Sequence, residues 1–351
     1  MIPETEPIEI TINKESSIPK YIQIADIITT DILDGKIKRG RKIPSINELS
    51  DSTSLSRDTI EKAYKILRAQ NLIYPVKGVG NFVTEDKSLP KINVLFLINK
   101  PSSYKIEVYN AFVNKISLKA QVNMYLYYCD ENLFINALKK NSKNYDFFVV
   151  MPHFKSRSKK HVSYTPKVIK AIETIPKEKL MIIDNSYSEI SGPFSAISQN
   201  YKQDIIQGLE KAIQRLKQYN KIILVYPTKS VFPYPTGILN GFIEFCQQHH
   251  FNFEILDEIY FDLEFASKEV YITIQENDLV KLIQQITHKK LVMGKDIGVI
   301  SYNETPLKEL LGITVISTDF KAMGEAAAKL IMSNKKQQLK NPFYYIERTT
   351  L

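Results

Sequence analysis

Leu55-Ser56-Arg57-Asp58-Thr59-Ile60-Glu61-Lys62-Ala63-Tyr64-Lys65-Ile66-Leu67 decides how the first part of this chain folds. Its apolar positions Ile60, Ala63, Tyr64 and Leu67 recur at the three- and four-residue spacing that gathers side chains on one face of a helix. Ser56 stands where an N-cap belongs, with Leu55 and Ile60 placed as a hydrophobic staple around it. Burying that stripe leaves Arg57, Asp58, Thr59 and Lys62 outside. The spacing predicts a helix whose polar leading end faces solvent.

The flanking segments complete a motif. Tyr21, Ile24, Ala25, Ile28 and Ile32 predict a first helix that opens after Pro19 and ends at Asp34-Gly35. Pro44-Ser45-Ile46-Asn47-Glu48 reads as the start of a second helix, with Ser45 as cap and Glu48 closing a capping box. A short turn through Thr53 and Ser54 follows. Leu72 to Val76 and Asn81 to Thr84 are β-prone arms around Lys77-Gly78-Val79-Gly80, whose glycines permit a tight turn. Three helices and a β-hairpin make a winged helix-turn-helix.

Such a motif sets the N-terminus of its last helix against base edges in the major groove, while hydroxyls and cations nearby hold phosphates. The candidate DNA contacts are Ser45, Ser56, Arg57, Thr59 and Lys62 on the helices, with Lys77, Gly78 and Gly80 in the wing. The net charge of +9 says little alone, because many soluble surfaces carry as much. Between Lys36 and Lys77, however, ten basic residues face four acidic ones, and that local patch suits a polyanion.

Pro19-Lys20-Tyr21-Ile22-Gln23-Ile24, Ile37-Lys38-Arg39-Gly40, Ile43-Pro44-Ser45, Leu55-Ser56-Arg57-Asp58-Thr59-Ile60, Ala63-Tyr64, Leu67 and Gly78-Val79-Gly80-Asn81-Phe82-Val83 together resemble the winged-helix signature of GntR-type transcription regulators. The resemblance implies DNA contacts at Ser45, Ser56, Arg57, Thr59 and the wing glycines. Where many members carry a basic residue, this chain has Asn47 and Glu61, so Lys62 and Lys65 stand as compensating cations.

Beyond Glu85-Asp86-Lys87-Ser88-Leu89-Pro90 the rhythm changes to short β-rich runs alternating with helical patterns, from Ile92 to Ile98 through Asp296 to Ile300. The expected organisation is a winged helix over 1–85, a linker over 86–90 and an α/β effector domain over 91–351. Such alternation implies parallel sheets with helices on both faces and ligands beyond the strands' carboxyl ends. Strand-end loops supply the candidate ligand contacts Ser102, Ser103, Tyr104, Phe154, Asn185, Tyr234, Asn277, Asp278 and Asn303. Amides and carboxylates that pair with hydroxyls, beside rings that cover an apolar face, suit a sugar. The same residue types also serve as ordinary caps and turns.

Ile222-Ile223-Leu224-Val225, Gly237-Ile238-Leu239-Asn240-Gly241-Phe242, Asn277-Asp278, Lys295 to Asn303, Ile313 to Asp319, Met323-Gly324-Glu325-Ala326-Ala327 and Ile346-Glu347-Arg348-Thr349-Thr350 are similar, in order, to the regulatory domain of LacI-type repressors and to periplasmic sugar-binding proteins. That resemblance implies two lobes, 91–199 with 303–318 and 200–302 with 319–351. It places crossings near Gln199 to Tyr201, Tyr302-Asn303 and Thr318-Asp319. Effector would lie in the cleft, with Asp278 and Asn303 as sugar contacts. Asn240 stands near the point where relatives often carry a ligand-binding arginine.

Nothing in the sequence asks for a cofactor, a metal or a catalytic residue. There is no Walker A motif or nucleophile elbow, and Gly78-x-Gly80 lies in a hairpin instead of a strand-to-helix turn. The adjacent His249 and His250 point to different faces, and Cys129 and Cys246 fall outside metal-ligand spacing, as free thiols of a reducing compartment do. The N-terminus lacks a signal-peptide pattern, and no apolar run reaches the ~20 residues of a membrane span. The expectation is a cytoplasmic homodimer, without membrane attachment, that reads a pseudo-palindromic double-stranded DNA operator under control of a small-molecule effector, a sugar. An α/β enzyme fused to a winged helix and a ligand-independent dimeric DNA-binding protein are the competing readings.

Overall fold

Two units, Met1–Lys91 and Ile92–Leu351, make up the chain. The computed structural model describes residues 8–13, 15–84, 92–116 and 119–351; the expected linker at 86–90 lies outside the described residues.

The first unit runs α1 (Lys20–Leu33), β1 (Lys42–Ile43), α2 (Ile46–Thr53), α3 (Arg57–Ala69), β2 (Ile73–Val76) and β3 (Gly80–Val83). Its strands form an antiparallel sheet in the order β1-β3-β2. Both halves of the capping box are made at α2: Ser45 Oγ accepts from the Glu48 amide and Glu48 Oε2 accepts from the Ser45 amide. Ser54, in the left-handed conformation, stops α2, and Ser56 starts α3 two residues later by accepting from the Thr59 amide. Ile24, Ile28, Leu49, Ile60, Tyr64 and Leu67 share one core, so the stripe of α3 is its buried face. At the hairpin tip Gly78 has φ +77° and Gly80 φ +136°, values that side chains rarely adopt.

The second unit is an α/β structure of two lobes. Lobe 1 opens with β4 (Ile92–Ile98), α4 (Ser103–Ile116), β5 (Ala120–Leu126), α5 (Glu131–Asn141) and β6 (Phe147–Val150). It continues through a small hairpin of β7 (Phe154–Lys155) and β8 (His161–Val162), then α6 (Pro166–Glu173), β9 (Leu180–Ile183) and β10 (Ser195–Ser198). Lobe 2 follows with α7 (Tyr201–Leu216), β11 (Lys221–Val225), α8 (Thr236–Gln248), β12 (Phe253–Leu256), β13 (Glu269–Thr273), α9 (Glu276–His288), β14 (Ile297–Tyr302), α10 (Pro306–Leu310) and β15 (Thr314–Thr318). The chain ends in α11 (Phe320–Ser333), β16 (Gln338–Lys340) and β17 (Phe343–Ile346).

One sheet has the order β16-β10-β9-β6-β4-β5 and the other β12-β11-β13-β14-β15-β17; only β17 runs antiparallel to its neighbour. Each sheet is covered on both faces, which explains its nearly continuous apolar strands. In β4, Val94, Phe96 and Ile98 pack with α4 and α11, while Leu95 and Leu97 pack with α5 and α6. In β11 the same alternation sends Ile222 and Leu224 toward α7 and α8, and Ile223 and Val225 toward α9.

The lobe boundaries differ from the expected ones. Residues 303–318 do not return to lobe 1: β14 and β15 are neighbouring parallel strands of the second sheet, so the chain makes no crossing at Tyr302-Asn303. Crossings occur between β10 and α7, between β15 and α11, and between β16 and β17. Helix α11 lies on α4 of lobe 1, where a Cβ on Gly324 would stand 2.3 Å from the Val108 carbonyl oxygen. The last crossing follows β16, whose three residues are all exposed and of which only Leu339 is apolar. Missing it, and placing one at Tyr302, exchanges the lobes of everything between.

Candidate functional site

The leading end of α3 in the first unit is exposed at Ser56, Arg57 and Asp58, while Ile60, Ala63, Tyr64 and Leu67 are buried. Ser56 Oγ lies 2.8 Å from Thr59 Oγ1, so these two hydroxyls organise the helix start together. Arg57 makes no ion pair among the described residues, whereas Lys62 is 2.7 Å from Asp58 and Lys65 is 3.1 Å from Glu61. The helix is anchored from below by Tyr64, whose buried hydroxyl donates to the Pro44 carbonyl at 2.6 Å. Arg68 donates twice to Asn81 Oδ1, at 2.9 and 3.2 Å, and thereby ties the wing to the same helix. Ser45 is spent on its cap, and Lys77, Gly78 and Val79 are exposed at the wing tip. Two anchors and an outward cation on a rigid rod suit insertion into a groove.

The second unit holds a cavity of about 120 Å³ between its lobes. Asn99, Lys100, Ser102, Tyr104, Lys105, His153 and Asp184 line it from lobe 1, with Phe320 of α11. Tyr201, Pro233, Tyr234, Ile238, Tyr302 and Asn303 line it from lobe 2, and Gln199 and Thr318 stand at the crossings. Asp184 and Asn303 each follow the last residue of a strand and take positive φ, 72° and 66°. Their amides bond the neighbouring strand, to Ile197 O and Ile316 O, so the same short kink turns a polar residue at the end of each sheet. Asp and Asn tolerate that conformation better than most residues.

Asp184 is the hub. Its Oδ2 lies 2.5 Å from Lys105 Nζ and 2.9 Å from His153 Nε2, and its Oδ1 accepts from Gln199 Nε2 and from the Tyr201 hydroxyl. Burial alone would raise its pKa; the Lys105 charge and the His153 hydrogen bond hold it well below the usual carboxylate range. His153 is pulled the other way, from 6.5 down to about 4, by burial and by the same lysine. A neutral His153 satisfies every contact: its Nε2–H donates to Asp184, and its Nδ1 accepts from His161 Nε2 at 2.8 Å. His161 is likewise lowered to about 2 by burial and by His153.

The hub reaches the hinge. Gln199 Oε1 accepts from Thr318 Oγ1, which joins the first crossing to the second. Asn341 of the third crossing donates through Nδ2 to the Asp319 carbonyl and through its amide to the Ser198 carbonyl, and Pro342 O accepts from the Asp319 amide. Asp184 is thereby joined, through Gln199 and Thr318, to the crossings between the lobes.

Across the cleft mouth, the proline-bounded loop between β11 and α8 meets lobe 1. Lys100 Nζ lies 4.4 Å from the centre of the Tyr234 ring, Lys155 Nζ lies 5.3 Å from that of Phe232, and Tyr128 stacks on Phe232. Tyr104 donates to Glu276 Oε1 at 3.3 Å and receives from Lys308 Nζ at 3.1 Å. Lys308 is 2% exposed and also donates to the Tyr302 and Asn303 carbonyls; burial pushes its pKa down to about 8.

Of the expected ligand contacts, Ser102, Tyr104, Tyr234 and Asn303 come together in this cavity. Asn185 lies in the adjoining groove with His161 and Ser163, its Nδ2 committed to the Pro152 carbonyl. Ser103 is the exposed first residue of α4, and Asn277 is exposed in the first turn of α9. Phe154 is fully buried in lobe 1, stacked on Tyr127, because its strand turns it into the core. Asp278 is buried and accepts from the Ile259 amide, a loop-holding role that removes it from the cleft. Asn240 is exposed on α8. Lys100, Lys105, Gln199 and Tyr201 also line the cavity, although the sequence reading did not name them as candidates. Lys105 had left a signal, since with Val108, Phe112 and Ile116 it occupies the apolar stripe of α4, an unusual place for a lysine.

Residues 20–83 match the family model described as bacterial regulatory proteins, gntR family. The first unit carries a GntR-type winged helix. Over 80 residues the chain is 32% identical to the arabinose metabolism transcriptional repressor of Geobacillus stearothermophilus, covering 23% of this chain and 22% of that one. Over 76 residues it is 37% identical to the HTH-type transcriptional repressor NagR of Bacillus subtilis, covering 22% and 31%. The chain thus spans less than a third of either relative's length. In structure it is similar to a LacI family transcriptional regulator from Lactobacillus casei with bound glucose, with a TM-score of 0.58 at 13% identity over 74% of this chain and 99% of that one. The second unit, which follows in the chain, has the two-lobed fold of LacI-type and periplasmic-binding-protein-like domains.

Proposed function

We propose that this chain is a DNA-binding transcription regulator whose operator affinity is set by a small polyhydroxylated ligand held between the lobes of its second unit. It acts as a cytoplasmic homodimer on a pseudo-palindromic site, and it binds its ligand without turning it over. Ser56, Arg57 and Thr59 contact the DNA, with Lys62 and the wing residues Lys77, Gly78 and Gly80 beside the backbone. The observation that carries the ligand reading is the joining of one buried network, Lys105–Asp184–His153 with Gln199–Thr318, to both the cavity wall and the hinge. A ligand that binds the closed form more tightly than the open one shifts the balance by that difference in affinity and no more.

Selection of duplexes from a random pool by the full chain tests the first half. Enrichment of two inverted half-sites is the expected outcome, and a pool without enriched sequence refutes it. Anisotropy on the selected duplex then tests the second half: some monosaccharide should change the affinity at least fivefold, and an affinity indifferent to every saccharide refutes ligand control.

A further inference from the structure

The cavity between the lobes has an electrostatic imbalance that a neutral sugar does not correct. Lys105 is matched by Asp184 at 2.5 Å, and His153 is satisfied as a neutral imidazole. Lys100 is left over: among the described residues no carboxylate lies within ion-pair distance of its Nζ, and the contact it makes is with the Tyr234 ring. Burial and the neighbouring Lys105 push its pKa down to about 8, the response of a cation that lacks a counter-charge. Lys100 is partly exposed, so its charge is only partly shielded from water, and an arriving anion offsets the remaining cost of desolvation.

Among the described residues three buried polar atoms of the cavity lining also lack partners: Asn99 Oδ1 on the lobe 1 side, and Tyr302 OH and Asn303 Oδ1 on the lobe 2 side. Asn99 and Tyr302 are each 3% exposed, so bulk water does not serve them. Asn99 is the residue before Lys100, and its amide nitrogen is already committed to Cys129 Sγ, which leaves its oxygen to accept. Tyr104 stacked on Phe320, at 5.2 Å between ring centres, forms an apolar wall of the same cavity. Acceptors for hydroxyls, a flat apolar wall and a lining cation with no carboxylate partner among the described residues describe one molecule. The volume, about 120 Å³, is on the scale of one six-membered ring, since a cavity of about 150 Å³ takes benzene.

We infer that the ligand is an acidic monosaccharide, a single sugar ring bearing a carboxylate or a phosphate, whose charged group is received by Lys100 and whose hydroxyls are read by Asn99, Tyr302 and Asn303. The inference rests on the ligand-sensing reading above and narrows its substrate class.

Calorimetric titration of the full chain with matched pairs tests it: glucose against glucuronate and glucose 6-phosphate, galactose against galacturonate and galactose 6-phosphate, ribose against ribose 5-phosphate. At least one acidic member should bind tenfold or more tightly than its neutral parent, and the carboxylate and phosphate arms tell the two groups apart. Lys100→Met, which keeps the stem and removes the charge, should erase that preference by weakening the acidic ligand far more than its neutral parent. Tighter binding of a neutral sugar than of its acidic partners overturns the inference and leaves sugar sensing intact. Equal losses for acidic and neutral ligands in Lys100→Met also overturn it, by making Lys100 a prop for the closed cleft. Silence from every saccharide takes the sensing reading down as well.

Discussion

Acidification from pH 7 to pH 5 should weaken the second unit through His153. The imidazole is fully buried and its pKa falls from 6.5 to about 4, so across that window the unfolded chain takes up a proton that the folded chain refuses. Stability from a depressed pKa is present above the unfolded value and is lost as pH falls toward the folded one. For one such group the loss is about 2 kcal/mol between pH 7 and 5 and about 3 kcal/mol at pH 4. His161, lowered in the same direction but partly exposed, adds a smaller share of the same sign. The rival arrangement is an imidazolium paired with Asp184, which would raise the pKa and make acid stabilising. The distances argue against it, because Lys105 already spends the carboxylate's charge at 2.5 Å. His153→Gln keeps a donor for Asp184 and removes the titration. Urea unfolding of the full chain, followed by far-ultraviolet circular dichroism, resolves the second unit as the transition with the larger denaturant dependence. Between pH 7 and 5 the wild type should lose about 2 kcal/mol more than the variant, by the proton linkage above. Equal pH slopes, or a wild type that gains on the variant in acid, would refute the neutral-imidazole network.

Arg57→Ala should abolish retention of a selected duplex in a gel shift while the melting temperature stays within a degree or so, because the side chain is exposed and makes no ion pair among the described residues; unchanged retention would remove α3 as the reading helix. Asp184→Ala leaves Lys105 and His153 buried without their acceptor and should cost about 3–5 kcal/mol in the same urea assay. A loss under 1 kcal/mol would show that the hub is not buried as described. Gly324→Ala sets two effects against each other. Helix propensity favours alanine by about 1 kcal/mol, yet its Cβ would stand 2.3 Å from the Val108 carbonyl and 2.8 Å from the Ala111 Cβ. Overpacking of that kind costs about 1–3 kcal/mol, so a net loss is expected, and a stabilised variant would contradict the close seating of α11 on α4.

The first unit was legible almost residue by residue, because its signals are local. A capping box at Ser45 and Glu48, an N-cap at Ser56 and two glycines at a hairpin tip each act within a few residues of themselves. The alternation of strands and helices in the second unit was legible for the same reason: strands buried on both faces must be apolar throughout, as Val94 to Ile98 are. Ser102, Tyr104, Tyr234 and Asn303 line the cavity because strand-end loops are where such folds bring polar residues together.

What the chain could not disclose by itself is which distant residues meet. Asp278 and Phe154 looked like loop residues with ligand chemistry, but one is spent on the Ile259 amide and the other fills a core, choices made by packing partners far along the chain. Lys105 and Asp184 are 79 residues apart, and only the closing of the first sheet's helices over its strands brings them to 2.5 Å. The lobe exchange has the same origin. A strand announces itself by its own side chains, whereas the sheet it joins is decided by hydrogen bonds to strands elsewhere, and β16 has almost no apolar face to announce. Local preferences, a matter of a few backbone dihedrals, can be read along the sequence; the balance of charge in the cleft exists only once two lobes have folded around it.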